Sequence, residues 1–136
     1  MFRVTRRFEF DAAHRLLGYD GKCKHVHGHH YVAEVTVEGT KLDELGMLLD
    51  FGALKKVGDW IDGNWDHNIL LHPDDHPMVD NWVSWNCLRE PFTSCHQPTA
   101  ENMAAHLFHK AKAILGGLVV NIRLYETPDC WVDYHE

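Results

Sequence analysis

Phe2-Arg-Val-Thr-Arg-Arg-Phe-Glu-Phe-Asp-Ala-Ala-His14 and, beyond a polar loop, Cys23-Lys-His-Val-His27-Gly-His29-His-Tyr-Val-Ala-Glu-Val-Thr-Val-Glu38 are the stretches whose reading decides the fold. In the first, Phe2, Val4, Phe8, Phe10, Ala12 and His14 share one face, interrupted only by Arg6. Arg3, Thr5, Arg7, Glu9 and Asp11 share the other. A period of two held this long predicts a half-buried strand. In the second, Tyr31, Ala33, Val35 and Val37 form the apolar face of a strand from about His27 to Glu38. Continued backwards, the same period places His29 and His27 on that face. If the two strands pair antiparallel, the loop from Arg15 to Val26, with Gly18 and Gly21, returns His27 close to His14.

Three imidazoles converging on one point form the ligand set of a catalytic zinc site, with a fourth position left for water or substrate. His-x-His on a strand, taken alone, reads as readily as two surface histidines; His14 on the matching face tips the balance toward metal. Cys23 has three readings: an inert thiol, a fourth ligand that closes the site, or a thiolate base or nucleophile beside a cation.

Working outward, a helix is predicted from Asp50, its N-cap, to about Ile61. Phe51, Leu54, Val57, Gly58, Ile61 and Trp65 trace its buried stripe. Residues 71–97 carry no clean period; Pro73, Pro77 and Pro91 indicate a long loop with one short element around Met78–Leu88. Thr99 caps a second helix with the stripe Ala104, Leu107, Phe108, Ala111 and Leu115, stopped by Gly116-Gly117. A strand over 118–126 sets Val120, Ile122, Leu124 and Glu126 on one face, and Cys130–His135 is a fourth strand. The order β-β-α-α-β-β predicts an α+β fold on a four-stranded antiparallel sheet, one domain spanning 1–136.

Composition narrows the function. The chain has 136 residues, 45% apolar and 24% charged, which suits one ordinary domain. A formal charge of −7 argues against nonspecific nucleic-acid binding. No apolar run approaches the roughly 20 residues that cross a bilayer, and the N-terminus carries charges where a secretion signal needs an apolar stretch. The expectation is a cytoplasmic protein with no membrane or nucleic-acid partner. Four cysteines without a Cys-x-x-Cys pair are expected as free thiols. Among twelve histidines, His72, His76, His96, His106 and His109 fit no ligand spacing with the first three and are expected in solvent. The tryptophans are assigned to core or subunit contact.

Two further spots carry chemistry. In Asp66-His67 a carboxylate can orient an imidazole, but neighbours on an extended segment point apart, so the pairing needs a turn; a surface pair is the plainer reading. Glu126 ends an apolar face. Buried there it needs donors, which the N–H edge of a pterin or guanine supplies as a bidentate pair; turned to solvent it needs none.

Taken together, Phe10-x-Ala-Ala-His14, Cys23-x3-His27-Gly-His29, Gly46-Met-Leu-Leu-Asp50-Phe51, Asp66-His67, Pro98-Thr-Ala-Glu101-Asn102 and Glu126-Thr127 resemble the 6-pyruvoyltetrahydropterin synthase / QueD (6-carboxytetrahydropterin synthase) family, colinearly from about residue 2 to Tyr134. The resemblance implies the tunnelling fold: a four-stranded antiparallel sheet with two helices on one side, closed into a barrel by trimers or hexamers, with active sites between subunits. It implies zinc on His14, His27 and His29, and Cys23 as catalytic base. By the same resemblance Asp66 and His67 complete the catalytic relay, Glu126 anchors the pterin and is counted in that relay too, and Thr99 and Glu101 line the pterin pocket. Two departures stand out: residues 69–97 are longer than in compact members, and Asn68-Ile-Leu-Leu71 replaces the family's Leu-Asn after Asp-His. Cys23 sets the chain apart from the subgroup carrying Glu there.

The substrate so implied is dihydroneopterin triphosphate, with Lys22, Lys24 and Arg15 as candidates to hold the triphosphate. The expected reaction forms 6-carboxytetrahydropterin, releasing triphosphate and acetaldehyde, on the route to queuosine and other deazapurines. One alternative is 6-pyruvoyltetrahydropterin synthase, without C–C cleavage; another is a non-catalytic zinc-binding oligomeric module in which Cys23 is a fourth ligand.

Overall fold

The computed structural model describes residues 1–136. Its frame is the hairpin read first from the sequence. β1 (Phe2–His14) and β2 (His27–Gly39) pair antiparallel over their whole length, from Phe2 opposite Gly39 to His14 opposite His27. No bulge interrupts this ladder, so the period of two keeps Phe10, Ala12 and His14 on the face of His27, His29, Tyr31, Ala33 and Val35. Arg6, the one cation on that face, lies over the Phe8 ring and donates from Nη1 to the Phe51 carbonyl at 2.9 Å.

α1 (Phe51–Asn64) begins where the Asp50 carboxylate accepts from the Gly52 amide at 2.7 Å. Leu54, Val57, Ile61 and Trp65 are buried, but Phe51 is exposed, because burial of the helix begins only at Leu54. Gly58 lets the helix reach the sheet: a Cβ there would come within 2.6 Å of the Phe8 ring. α2 (His76–Val79) is a single turn, followed by a 3₁₀ turn at Trp82–Trp85 where one short element was expected, so the long loop carries two short elements. α3 (Ala100–Leu115) is capped by Thr99, whose hydroxyl accepts from the Asn102 amide at 3.2 Å, and ends at Gly116 with φ of 78°. Met103, Ala104, Leu107, Phe108 and Ala111 bury its stripe. α1 and α3 pack on one face of the sheet, over Phe10, Tyr31, Val35, Ile122 and Leu124.

β4 (Val119–Thr127) pairs antiparallel with β2, and β5 (Cys130–Tyr134) with β4. A bulge sets Thr36 opposite Asn121 but Val37 opposite Val119, so Val119 is the buried residue where the pattern predicted Val120. The four expected antiparallel strands are joined by a fifth. β3 (Asn68–Leu70) lies parallel to β1, giving the order β3-β1-β2-β4-β5 and making the sheet mixed. Three residues buried on both faces leave no period to read. No helix is long and apolar enough to cross a membrane.

Candidate active site and metal centre

The hairpin register brings the three histidines together. Their ligand atoms lie within 4.8 Å of one another, and His14 is buried. His14 Nδ1 is 2.7 Å from the Pro98 carbonyl and His27 Nδ1 is 2.7 Å from the His25 carbonyl. A carbonyl only accepts, so both Nδ1 atoms carry the proton and both Nε2 atoms present lone pairs. Those two Nε2 atoms face each other at 3.0 Å with no proton between them, an arrangement that repels unless a cation lies between or beside them. His29 Nε2 is buried without a hydrogen-bond partner, 3.5 Å from the Glu126 carboxylate. Burial is the main cause holding His14 and His29 below the usual imidazole range, so neutral, ligand-ready rings are favoured. For His14 the Pro98 carbonyl and Glu126 act in the opposite direction. The donor set, its tautomers and the orphaned nitrogen fit a metal ion of imidazole preference such as zinc.

Cys23 sits on a 3₁₀ turn, Lys22–Lys24, held to the frame where the Leu16 amide donates to the Cys23 carbonyl at 2.8 Å. The neighbouring Leu17 backbone exchanges two hydrogen bonds with the Gln97 amide, at 2.9 and 2.7 Å, just before α3. Sequence reading missed Gln97; no spacing signals a side chain that bridges 80 residues. The result is a cavity of about 320 Å³ lined by His14, Cys23, Thr99, Glu101 and Glu126, five of the predicted residues from four parts of the chain. Tyr31 Oη lies 3.4 Å from His14 Nδ1 beneath them, and burial pushes its phenol far above the usual range, so it stays protonated. Cys23 contributes no atom to the three-imidazole cluster.

Asp66 and His67 form the pair that needed a turn. His67 adopts φ of 56°, and its Nδ1 lies 3.0 Å from Asp66 Oδ2 while Asp66 Oδ1 accepts from the Asp11 amide at 3.0 Å. Burial raises the Asp66 carboxyl, but the Asp11 amide and His67 outweigh it and hold the group below the usual carboxylate range. His67 does not share the cavity of Cys23. It lines a different one, of about 500 Å³, with Asp11, His30, Cys87 and Arg89.

Two expectations are corrected. Arg15 is not free for a triphosphate, because its guanidinium is paired with the fully buried Asp75 through two contacts of 2.5 Å. His106 is not in solvent: its ring packs against Trp60, Trp65 and Phe92, and its Nε2 is buried without a partner. All four cysteines are free thiols, as expected.

Comparisons with known proteins identify the family and the fold. The family model described as 6-pyruvoyl tetrahydropterin synthase matches residues 3–136. Relatives named 6-carboxy-5,6,7,8-tetrahydropterin synthase include those of Rickettsia felis, 44% identical over 98% of this chain and 99% of that protein, and Rickettsia typhi, 41% identical over the same shares. The solved structure of Caenorhabditis elegans 6-pyruvoyl tetrahydropterin synthase superposes with a TM-score of 0.74 at 26% identity, covering 99% of this chain and 95% of that one. An uncharacterized protein of Wolinella succinogenes has the same fold, with a TM-score of 0.84 at 20% identity over 99% of this chain and 98% of that one. The chain belongs to the 6-pyruvoyl tetrahydropterin synthase family.

Proposed function

We propose that this protein is a zinc-dependent 6-carboxy-5,6,7,8-tetrahydropterin synthase that converts dihydroneopterin triphosphate, releasing triphosphate and acetaldehyde, on a cytoplasmic route to queuosine-type deazapurines. The observation that carries the reading is the convergence of three ring nitrogens beside a cavity that also holds Cys23 and Glu126. The names of the Rickettsia relatives support the choice of product.

His14, His27 and His29 would hold the metal. Bound there, zinc supplies Lewis acidity toward the hydroxyls of the substrate side chain. Glu126 accepts from the N–H edge of the pterin, and Thr99 and Glu101 line the same cavity, which fixes the ring. The Cys23 thiolate takes the carbon-bound proton of the side chain. Lys22 and Lys24, exposed on the turn that carries Cys23, offer positive charge to the triphosphate.

His67 shuttles protons, with Asp66 holding its Nδ1–H. Because His67 and Cys23 line different cavities of one chain, the relay is completed between copies, in a trimer or a hexamer whose sheets close a barrel. Such closure also covers the open edge of β5, an aggregation hazard in an isolated sheet.

The same residues serve a second reading, 6-pyruvoyl tetrahydropterin synthase, the name borne by the Caenorhabditis elegans structure. Incubating the zinc-loaded protein with dihydroneopterin triphosphate and identifying products by mass spectrometry tests both. The carboxylated pterin with acetaldehyde supports the proposal. A 6-pyruvoyl product replaces it with the second reading, and no turnover by zinc-loaded oligomer rejects both.

A further inference from the structure

The segment 71–97 supplies none of the metal-binding, catalytic or pterin-binding residues proposed above, yet it returns to the turn that carries His67. The Leu71 amide donates to the Phe92 carbonyl at 3.0 Å and the Phe92 amide to the Ile69 carbonyl at 2.9 Å, laying Phe92 along β3. Asn68 Nδ2 donates to the Glu90 carbonyl at 3.1 Å and to the Asn64 carbonyl at 2.9 Å. Just before these anchors Arg89 places its guanidinium on two main-chain oxygens. Nη2 donates to the Gly63 carbonyl at 2.6 Å and Nη1 to the Asp66 carbonyl at 3.1 Å. Gly63 is in the last turn of α1, where carbonyls lack helical partners and a cation is favourable.

The Asp66 carbonyl and the His67 N–H belong to one planar peptide unit. The N–H end donates to the Asp11 carbonyl at 2.7 Å, so Arg89 and Asp11 hold that plane from opposite sides. From this plane His67 departs in the left-handed region, which an L side chain rarely adopts unless its surroundings impose it. The same conformation turns the His67 ring back onto the Asp66 carboxylate. Arg89 and His67 line one cavity.

We infer that Arg89 is a positioning residue for the Asp66–His67 pair: by fixing the peptide plane between them it holds the imidazole at the angle from which it meets the reacting centre. The inference rests on the relay role proposed for His67. It gives the long 71–97 segment a function, as the carrier of a clamp on the proton relay. Lys is a poor substitute, since an ammonium lacks the planar fork that reaches two carbonyls at once.

The test uses the full-length, zinc-loaded protein and the variants Arg89→Ala, Arg89→Lys and His67→Ala. In R89A, amide hydrogen exchange in the peptide containing His67 and Asn68 should quicken about tenfold while that of α3 stays unchanged, as local opening requires. Turnover of dihydroneopterin triphosphate should fall up to about 10²-fold with KM within about threefold, the signature of a misplaced rather than an unbound partner. R89K should lie between R89A and wild type, and added guanidinium ion should restore part of the R89A turnover. Unchanged exchange at His67, or quickened exchange with full turnover, overturns the inference. So does a raised KM with unchanged turnover, which would make Arg89 a substrate contact. H67A separates the two levels: retained turnover in H67A defeats the relay reading itself, whatever R89A does.

Discussion

Replacing Cys23 with Ala separates catalysis from structure on one side chain. The thiol is half-buried, makes no hydrogen bond, and stands outside the cluster of three imidazoles. Its removal deletes one small, partly exposed group, a loss of about 1 kcal/mol or less on the apolar-burial scale. For a chain of this size that corresponds to a melting shift of roughly 2–4 °C. Metal content should remain that of the wild type, because all three Nε2 atoms persist, as do the carbonyls that orient His14 and His27. Turnover should fall by about 10²–10⁴, the usual contribution of a positioned acid–base group. On the activation barrier this is about 3–5 kcal/mol. The assay combines metal analysis, calorimetry and product formation on the same preparation. Loss of zinc together with a large drop in melting temperature would refute the reasoning, since it would make the sulfur a fourth ligand whose binding energy is folding energy. An intact, zinc-loaded, inactive variant is the expected result.

Other perturbations follow from the same geometry. His27→Ala removes a donor whose Nε2 lies 3.0 Å from that of His14, and should abolish both zinc binding and turnover; full metal occupancy measured by atomic absorption would contradict the triad. Asp75→Ala leaves the Arg15 guanidinium without its buried partner. Breaking a fully buried pair costs about 3–5 kcal/mol, and with the Arg15 side chain a quarter exposed, about 2–3 kcal/mol is expected in urea unfolding. A change below about 0.5 kcal/mol, the range of ordinary surface substitutions, would show the pair to be idle. His106 is depressed by burial first, then by Lys110 and His109, below its ordinary 6.5. Above that pH it is neutral folded and unfolded. As pH falls below 6.5 the unfolded chain takes up a proton that the folded one resists, so stability declines toward acid. His106→Leu should therefore flatten the loss of stability between about pH 7 and 5 relative to wild type, and equal slopes in the two proteins would exclude His106 as a contributor.

What could be read from the sequence was whatever repeats or caps. β1, β2, α1 and α3 announce themselves because one face of each is buried and the other is not, and because Asp50 and Thr99 are side chains that satisfy amides at a helix start. The histidine triad was legible for the same reason, since two alternating faces that must coincide place His14 opposite His27. β3 was illegible because Asn68, Ile69 and Leu70 are buried on both sides and their partner strand runs parallel. Phe51 failed as a stripe residue because periodicity does not mark where along the helix packing begins, here at Leu54. The contacts made by Arg89, Gln97 and Asp75 reach across 23 to 80 residues to backbone or charge, and nothing local marks them.

The division between legible and illegible parts has a physical meaning for the site. The proposed metal donors project from one end of a bulge-free hairpin of thirteen consecutive pairs, so a slip of one residue would replace His27 and His29 by Gly28 and His30 and move the wrong face to the core. That register is fixed by the buried faces of Phe10, Tyr31 and Val35, and the donor geometry inherits the rigidity of the core. Cys23 and His67, by contrast, sit on a 3₁₀ turn and on a left-handed turn, each tied down by a few side-chain or main-chain hydrogen bonds rather than by a ladder. On the proposed roles, the fold places the ligands where strand pairing fixes them and the proton carriers where single contacts, such as those of Arg89 and Gln97, hold them. Substitutions in the hairpin core should then cost metal and fold together, whereas substitutions among those contacts should cost turnover at constant metal content, and metal analysis across both sets decides whether the division holds.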